Sequence, residues 1–136
     1  MSVMLKFLKD YWPSAIVIAV ILYATFSSDP IVADSLPVFP HADKLIHSIM
    51  MGGLVGAVAF DYQRARKSVR SLDRRVMLAV TLGVMVFGVA DELVQGALDN
   101  SRSSDFYDVL ADWVGSWVAF FSAPPAIYGV LRIRQE

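Results

Sequence analysis

Val76–Val94 reads VMLAVTLGVMVFGVADELV, fifteen uncharged residues closed by Asp91 and Glu92. A run of that kind is too long for a strand and reads as a helix crossing lipid. Its two ends differ sharply. Arg74 and Arg75 precede it, while two carboxylates sit inside its last turns. Three further blocks resemble it: Tyr11–Phe26, Leu45–Phe60 and Val109–Leu131. A spanning helix needs about 17–25 residues, so the first two blocks need flanking residues such as Ser27, Ser28 and Tyr62 to reach across.

Composition supports that reading. Of 136 residues, 56% are hydrophobic and 18% charged, and mean hydropathy is +0.52. Soluble domains run nearer about 45–50% and 25%. Disorder, collagen-like repeats and coiled coils are excluded by the same balance. Segments of alternating hydrophobicity are lacking, which gives a β-barrel no support. With no cysteine there is no disulfide framework, thiol nucleophile or Cys-ligated metal. The first block also resembles a signal peptide, with Lys6 and Lys9 before an apolar stretch, but no A-x-A site follows and it is read as a retained helix.

The expected fold is therefore an all-α integral membrane protein: one four-helix transmembrane bundle over 1–136, with helices at about 11–28, 43–62, 76–96 and 108–131. Charge sets its orientation. The N-terminal end, the 61–75 segment between the second and third blocks (which includes the basic 63–75 loop), and the C-terminal end carry ten basic and four acidic residues, a balance of +6. The outer loops, 29–42 and 97–107, and the outer helix ends carry two basic and nine acidic residues, a balance of −7. The positive-inside rule then places both termini in the cytoplasm, N-in and C-in. The basic loop suits anionic lipid. A net charge of −1 offers no affinity for nucleic acid.

Small residues mark the packing faces. Ser48, Gly52, Gly56 and Ala59 line the second helix, and such stripes let backbones approach closely in lipid. Asp108, Asp112, Gly115, Ala119 and Ser122 form a comparable stripe on the fourth. Pro124-Pro125 predicts a kink or early termination there.

The ionisable groups inside the spans carry the functional reading. Asp43, Lys44 and His47 share a face of the second helix, Glu92 and Gln95 a face of the third, and Asp108 and Asp112 a face of the fourth. Each set lies near the outer end of its helix. A charge at the membrane centre costs about 2.5–3.5 kcal/mol, so groups on three helices at one depth are expected to face one another in a shared polar site at the outer-leaflet end. Simpler readings exist for single members. Asp108 alone reads as a helix cap, Asp91 as solvated, Gln95 as satisfying a neighbouring helix end, and His41 as surface.

The sequence around these residues resembles the VanZ-like family of small bacterial membrane proteins. The resemblance rests on Asp43-Lys44-Leu45-Ile46-His47, on Asp91-Glu92-Leu93-Val94-Gln95, and on Arg102 to Gly115, RSSDFYDVLADWVG. It covers about Asp43 to Ala119. Met51 stands where an aromatic is common and Asp112 where asparagine is often found, which adds a negative charge and favours a cation. The resemblance implies a multi-pass protein of the bacterial cytoplasmic (inner) membrane, with some relatives linked to teicoplanin resistance, an antibiotic-resistance trait of the cell envelope. It implies no known reaction.

Four functional expectations follow. The first is binding of an envelope component, either a lipid-linked cell-wall precursor or a phospholipid headgroup. Arg102 and Lys44 would hold phosphate, while Asp43, Glu92, Gln95, Asp108 and Asp112 would complete the site. The second is a hydrolase or transferase with His47 or Glu92 as general base, although no G-x-S-x-G motif occurs. The third is a divalent cation held by His47, Glu92, Asp108 and Asp112. The fourth is a structural role, in which the polar groups fix the bundle or the chain docks a larger membrane protein or a second copy.

Overall fold

In the computed structural model, the described residues are 2–27, 41–66, 72–98 and 105–134. They form α1 (Val3–Asp10), α2 (Trp12–Phe26), α3 (Ala42–Ala65), α4 (Arg74–Leu98) and α5 (Phe106–Ile133), with no strand among them. At about 1.5 Å per residue, the 24, 25 and 28 residues of α3, α4 and α5 each exceed the roughly 30 Å hydrocarbon layer. These three helices are long and apolar enough to cross a membrane, and α1 with α2 makes a fourth crossing if the bent pair counts as one.

The first span differs from the expected continuous helix beginning at residue 11. α1 and α2 meet at Tyr11 with a bend of 77°. Pro13 is the physical reason. It occupies the first turn of α2, where a missing N–H costs nothing, but its ring would clash with the Lys9 carbonyl if α1 ran on. Pro124 and Pro125 act otherwise. They lie inside α5, which continues to Ile133, so the expected early termination does not occur. Ser122 donates its hydroxyl to the Val118 carbonyl within that stretch (2.8 Å). In a helix that crosses lipid, backbone groups freed by proline would find no other partner.

Local caps start the helices. Asp105 accepts the Tyr107 N–H (2.9 Å) ahead of α5, and Asp73 accepts the Arg75 N–H (2.9 Å) ahead of α4. α3 begins instead after His41, whose φ of 66° is left-handed and whose side chain makes no cap. Asp43 sits in the first turn, where the helix dipole favours a carboxylate.

α3 and α5 form the most extensive helix pair. Their backbones touch through glycine: a Cβ on Gly52 would lie 2.8 Å from the Gly115 carbonyl oxygen, and one on Gly115 would collide with the Ser48 backbone. Gly56 has no such neighbour, so the closest backbone approach lies at the Ser48–Gly52 end of the predicted stripe. The apolar core is small: Ile21, Met51, Leu54, Met77 and Ile127 are its largest members. Ile49, Val86, Val118 and Phe121 are exposed, as lipid-facing side chains are.

Candidate polar site at one end of the helices

One end of the structure gathers the start of α3, the start of α5, the end of α2 and the end of α4. Lys44 lies at its centre. Its ammonium is 2.6 Å from Asp108, 2.8 Å from Asp43 and 3.1 Å from Asp105. One helical turn deeper, His47 Nδ1 lies 3.0 Å from Asp112 Oδ1, and His47 Nε2 is 3.9 Å from Asp108 Oδ2. Ser48 then donates its hydroxyl to the Ala111 carbonyl (2.7 Å). Three successive ties therefore run down the α3–α5 seam in the order Lys44, His47, Ser48.

The α4 carboxylates are held separately. Glu92 Oε1 accepts the Asp105 N–H (2.7 Å), so it braces the cap of α5 and does not touch His47 by any hydrogen bond. Asp91 Oδ2 accepts the Thr25 hydroxyl (3.0 Å), and its Oδ1 is buried with no hydrogen-bond partner among the described residues. Gln95 donates to the Thr25 carbonyl (3.2 Å) at the end of α2. Gly88 lies against Asp112: a Cβ there would be 2.8 Å from Oδ2.

Several single-residue expectations change. Asp108 is not the cap of α5, because Asp105 is; Asp108 lies in the first turn and pairs with Lys44. Asp91 is not solvated but buried. The Lys44 ammonium, expected to hold phosphate, lies among three carboxylates. Gln95 does bond a neighbouring helix end, and His41 is exposed. Arg102 lies outside the described residues, as do Ser103 and Ser104.

Among the described residues, no group of three or more His, Asp or Glu side chains is placed to hold a metal ion. Each carboxylate in the proposed ligand set points at a different partner: Asp108 at Lys44, Asp112 at His47, Glu92 at a backbone N–H. Exposure grades across the layer. The Asp43 and Asp105 side chains are 61% and 41% exposed, and that of Asp112 is 2%. The Tyr107 N–H, and after it the Lys44 ammonium, hold the Asp105 carboxyl below the usual carboxylate range. Directly below the cluster, the seam opens into a groove of about 310 Å³ between Ser48, Gly52, Gly115, Val118 and Ser122.

Two contributors escaped the sequence reading. Thr25 carries no charge and gave no reason to be singled out in an apolar block. Asp105 had a legible signature, a short polar residue directly before an apolar run, but its link to Lys44 depends on how α3 and α5 pack. Compared with known proteins, the chain finds no counterpart: no family model, no curated protein and no solved structure matches it.

Proposed function

We propose that this chain is a VanZ-like, multi-pass protein of the bacterial cytoplasmic membrane, a four-helix bundle with both termini in the cytoplasm. Its acidic outer end binds an envelope component, a phospholipid headgroup or a lipid-linked cell-wall precursor, through that molecule's amine or hydroxyl groups. One observation carries the reading. Three carboxylates converge on the single ammonium of Lys44, and two of them remain substantially exposed. Among the described residues the uncompensated charge at the open face is negative, and hydrogen-bond donors suit it better than phosphate does. Any phosphate contact falls to Arg102. The groove below the cluster lies on the side where an acyl chain would enter.

The test is lipid retention. Purified protein in nanodiscs of mixed phosphatidylethanolamine and phosphatidylglycerol, examined by native mass spectrometry, is expected to retain the amine-bearing lipid selectively. Asp43→Asn with Asp105→Asn, both at exposed positions, is expected to remove that preference in a folded protein. Equal retention of the two lipids, or preference for the anionic one, would refute the reading.

The His47–Asp112 pair favours a second reading. A buried carboxylate fixing one imidazole nitrogen is how a general base is oriented, and 3.0 Å separates them. A hydrolase or transferase of that kind would release labelled headgroup from the retained lipid over time. His47→Gln would stop the release without altering retention. No release from wild-type protein dismisses the enzyme.

A further inference from the structure

The break between α1 and α2 is constructed from both sides. The Asp61 carboxylate, fully buried on α3, accepts the Ser14 N–H (2.9 Å) and the Ser14 hydroxyl (2.6 Å) in the first turn of α2. Arg64, one turn along α3, lies 3.1 Å from Asp61 and donates to the carbonyl of Asp10, the last residue of α1 (2.6 Å). A negative group thus meets the N-terminus of one helix and a positive group the C-terminus of the other. Both signs are those the helix dipoles favour. The rings of Phe60 and Trp12 flank the guanidinium at 5.8 and 6.0 Å, which adds to its fixation. The Asp61–Arg64 pair therefore holds both helix ends at the 77° bend that Pro13 makes.

α2, 15 residues and about 22 Å long, runs alongside the longer helices. Its start is tied to the end of α3 through Ser14 and Asp61, and its end to the end of α4 through Thr25 and Asp91. At 77° to α2, α1 runs almost across that direction. Eight residues reach only about 12 Å, so α1 crosses nothing by itself. It contributes no buried residue. At 100° per residue, Val3, Met4, Leu5, Phe7 and Leu8 share one continuous arc, and Lys6, Lys9 and Asp10 the opposite one. Met4 is 69% exposed and Leu8 50%, so the apolar arc lies uncovered by the protein.

We infer that α1 is an interfacial helix, clamped by Asp61 and Arg64 in the plane of the bilayer surface, with lipid covering its apolar arc. Charge agrees with that occupant. The same end of the structure carries Arg66, Arg74, Arg75 and Arg132 at the ends of α3, α4 and α5, and basic groups beside an amphipathic helix are drawn to anionic headgroups. This inference stands independently of what the polar site at the other end binds.

The chain has no cysteine, so single labels can be placed cleanly. Met4→Cys, Lys6→Cys, Leu8→Cys and Lys9→Cys would each carry a nitroxide in full-length protein reconstituted in phosphatidylethanolamine–phosphatidylglycerol vesicles. All four positions are exposed, so the fold is expected to survive. Labels at residues 4 and 8 should be severalfold more accessible to oxygen than to a nickel chelate, at a depth of about 5–10 Å below the headgroups. Labels at 6 and 9 should show the reverse. Equal nickel accessibility at all four positions would overturn the inference, as would burial of all four at the bilayer centre. Strong spin–spin broadening at 4 and 8 would assign the apolar arc to a second copy instead, and would overturn it too.

Discussion

Replacing Gly115 by alanine tests the seam on which the polar site depends. The added Cβ would lie 2.7 Å from Ser48 Cα and nearer still to the Ser48 carbonyl. Carbon atoms rest at about 3.5–4.0 Å, so α3 and α5 must part by roughly 1 Å. The obstructing atoms are backbone, and no rotamer change makes room. Overpacking of this kind costs about 1–3 kcal/mol. The same separation stretches the Ser48–Ala111 and His47–Asp112 hydrogen bonds, each contributing about 1 kcal/mol. Against this stands the gain of about 1 kcal/mol from alanine over glycine in a helix. The net expectation for Gly115→Ala is a loss of about 2–4 kcal/mol.

Gly56→Ala is the control, because a Cβ there meets nothing within 4 Å. Only the propensity gain remains, so this variant should be neutral or up to about 1 kcal/mol more stable. Gly52→Ala should fall between the two, its Cβ lying 2.8 Å from the Gly115 carbonyl. The assay is unfolding of purified protein in mixed micelles by increasing sodium dodecyl sulfate, followed by tryptophan fluorescence. If Gly115→Ala and Gly56→Ala unfolded within about 0.5 kcal/mol of each other, the scatter of neutral surface changes, the close crossing would be refuted.

Three further outcomes are expected. Gly88→Ala should displace the Asp112 carboxylate, 2.8 Å from the added carbon, and so change the imidazole nitrogen shifts of His47 in an NMR spectrum without touching a polar residue. Asp61→Ala should lower stability by roughly 2–3 kcal/mol, the usual loss for hydrogen bonds to a charged group, because it orphans Ser14 and Arg64 together; Asp61→Asn, which still accepts from Ser14, should lose less in the same unfolding assay. Asp105 gives a pH dependence. Its folded carboxyl is held below its unfolded value of about 3.9, so its contribution is present above that value and lost as pH falls through the lowered one. The unfolding midpoint of Asp105→Asn should therefore drop less than the wild type's on acidification from about pH 6 to about pH 3.

Hydropathy made the spanning segments legible because lipid imposes a requirement on every residue of a crossing helix, and composition carries that requirement without any tertiary information. The small-residue stripe on α3 was legible for the same kind of reason, yet only Gly52 of its two glycines makes the crossing; which turn of a stripe touches depends on where a partner helix tilts away. The bend at Tyr11 was missed although Pro13 announced it. Proline after an aromatic at a helix start reads equally as a first-turn residue of one helix or the break between two, and the arbiter, Asp61, lies 47 residues beyond Ser14. Lys44 reads as a phosphate ligand from its charge alone, whereas its three carboxylate neighbours are not visible in sequence. Two of them come from the start of α5, so they reach Lys44 only through the α3–α5 pairing.

The partners of each ionisable group separate structural carboxylates from available ones. Asp61 engages both oxygens within the protein and is wholly buried, so nothing is left for a ligand to meet. Asp112 and Glu92 each bond one protein group and lie behind the first rank. Asp43 and Asp105 are different. Each shares a single ammonium that is already claimed by Asp108 at 2.6 Å, and each keeps much of its side chain open. A ligand donor arriving from outside would reach these two first, and would compete with Lys44 before it could approach His47, whose side chain is 17% exposed. The grading sets an order of engagement: charge pairing at the rim, then displacement of Lys44, and only then access to the imidazole. Binding at the rim requires no rearrangement of the α3–α5 seam, whereas chemistry at His47 requires the Lys44 cluster to open. Lys44→Met separates the two, since it should weaken the tie between α3 and α5 while leaving the rim carboxylates free to bind an amine more tightly.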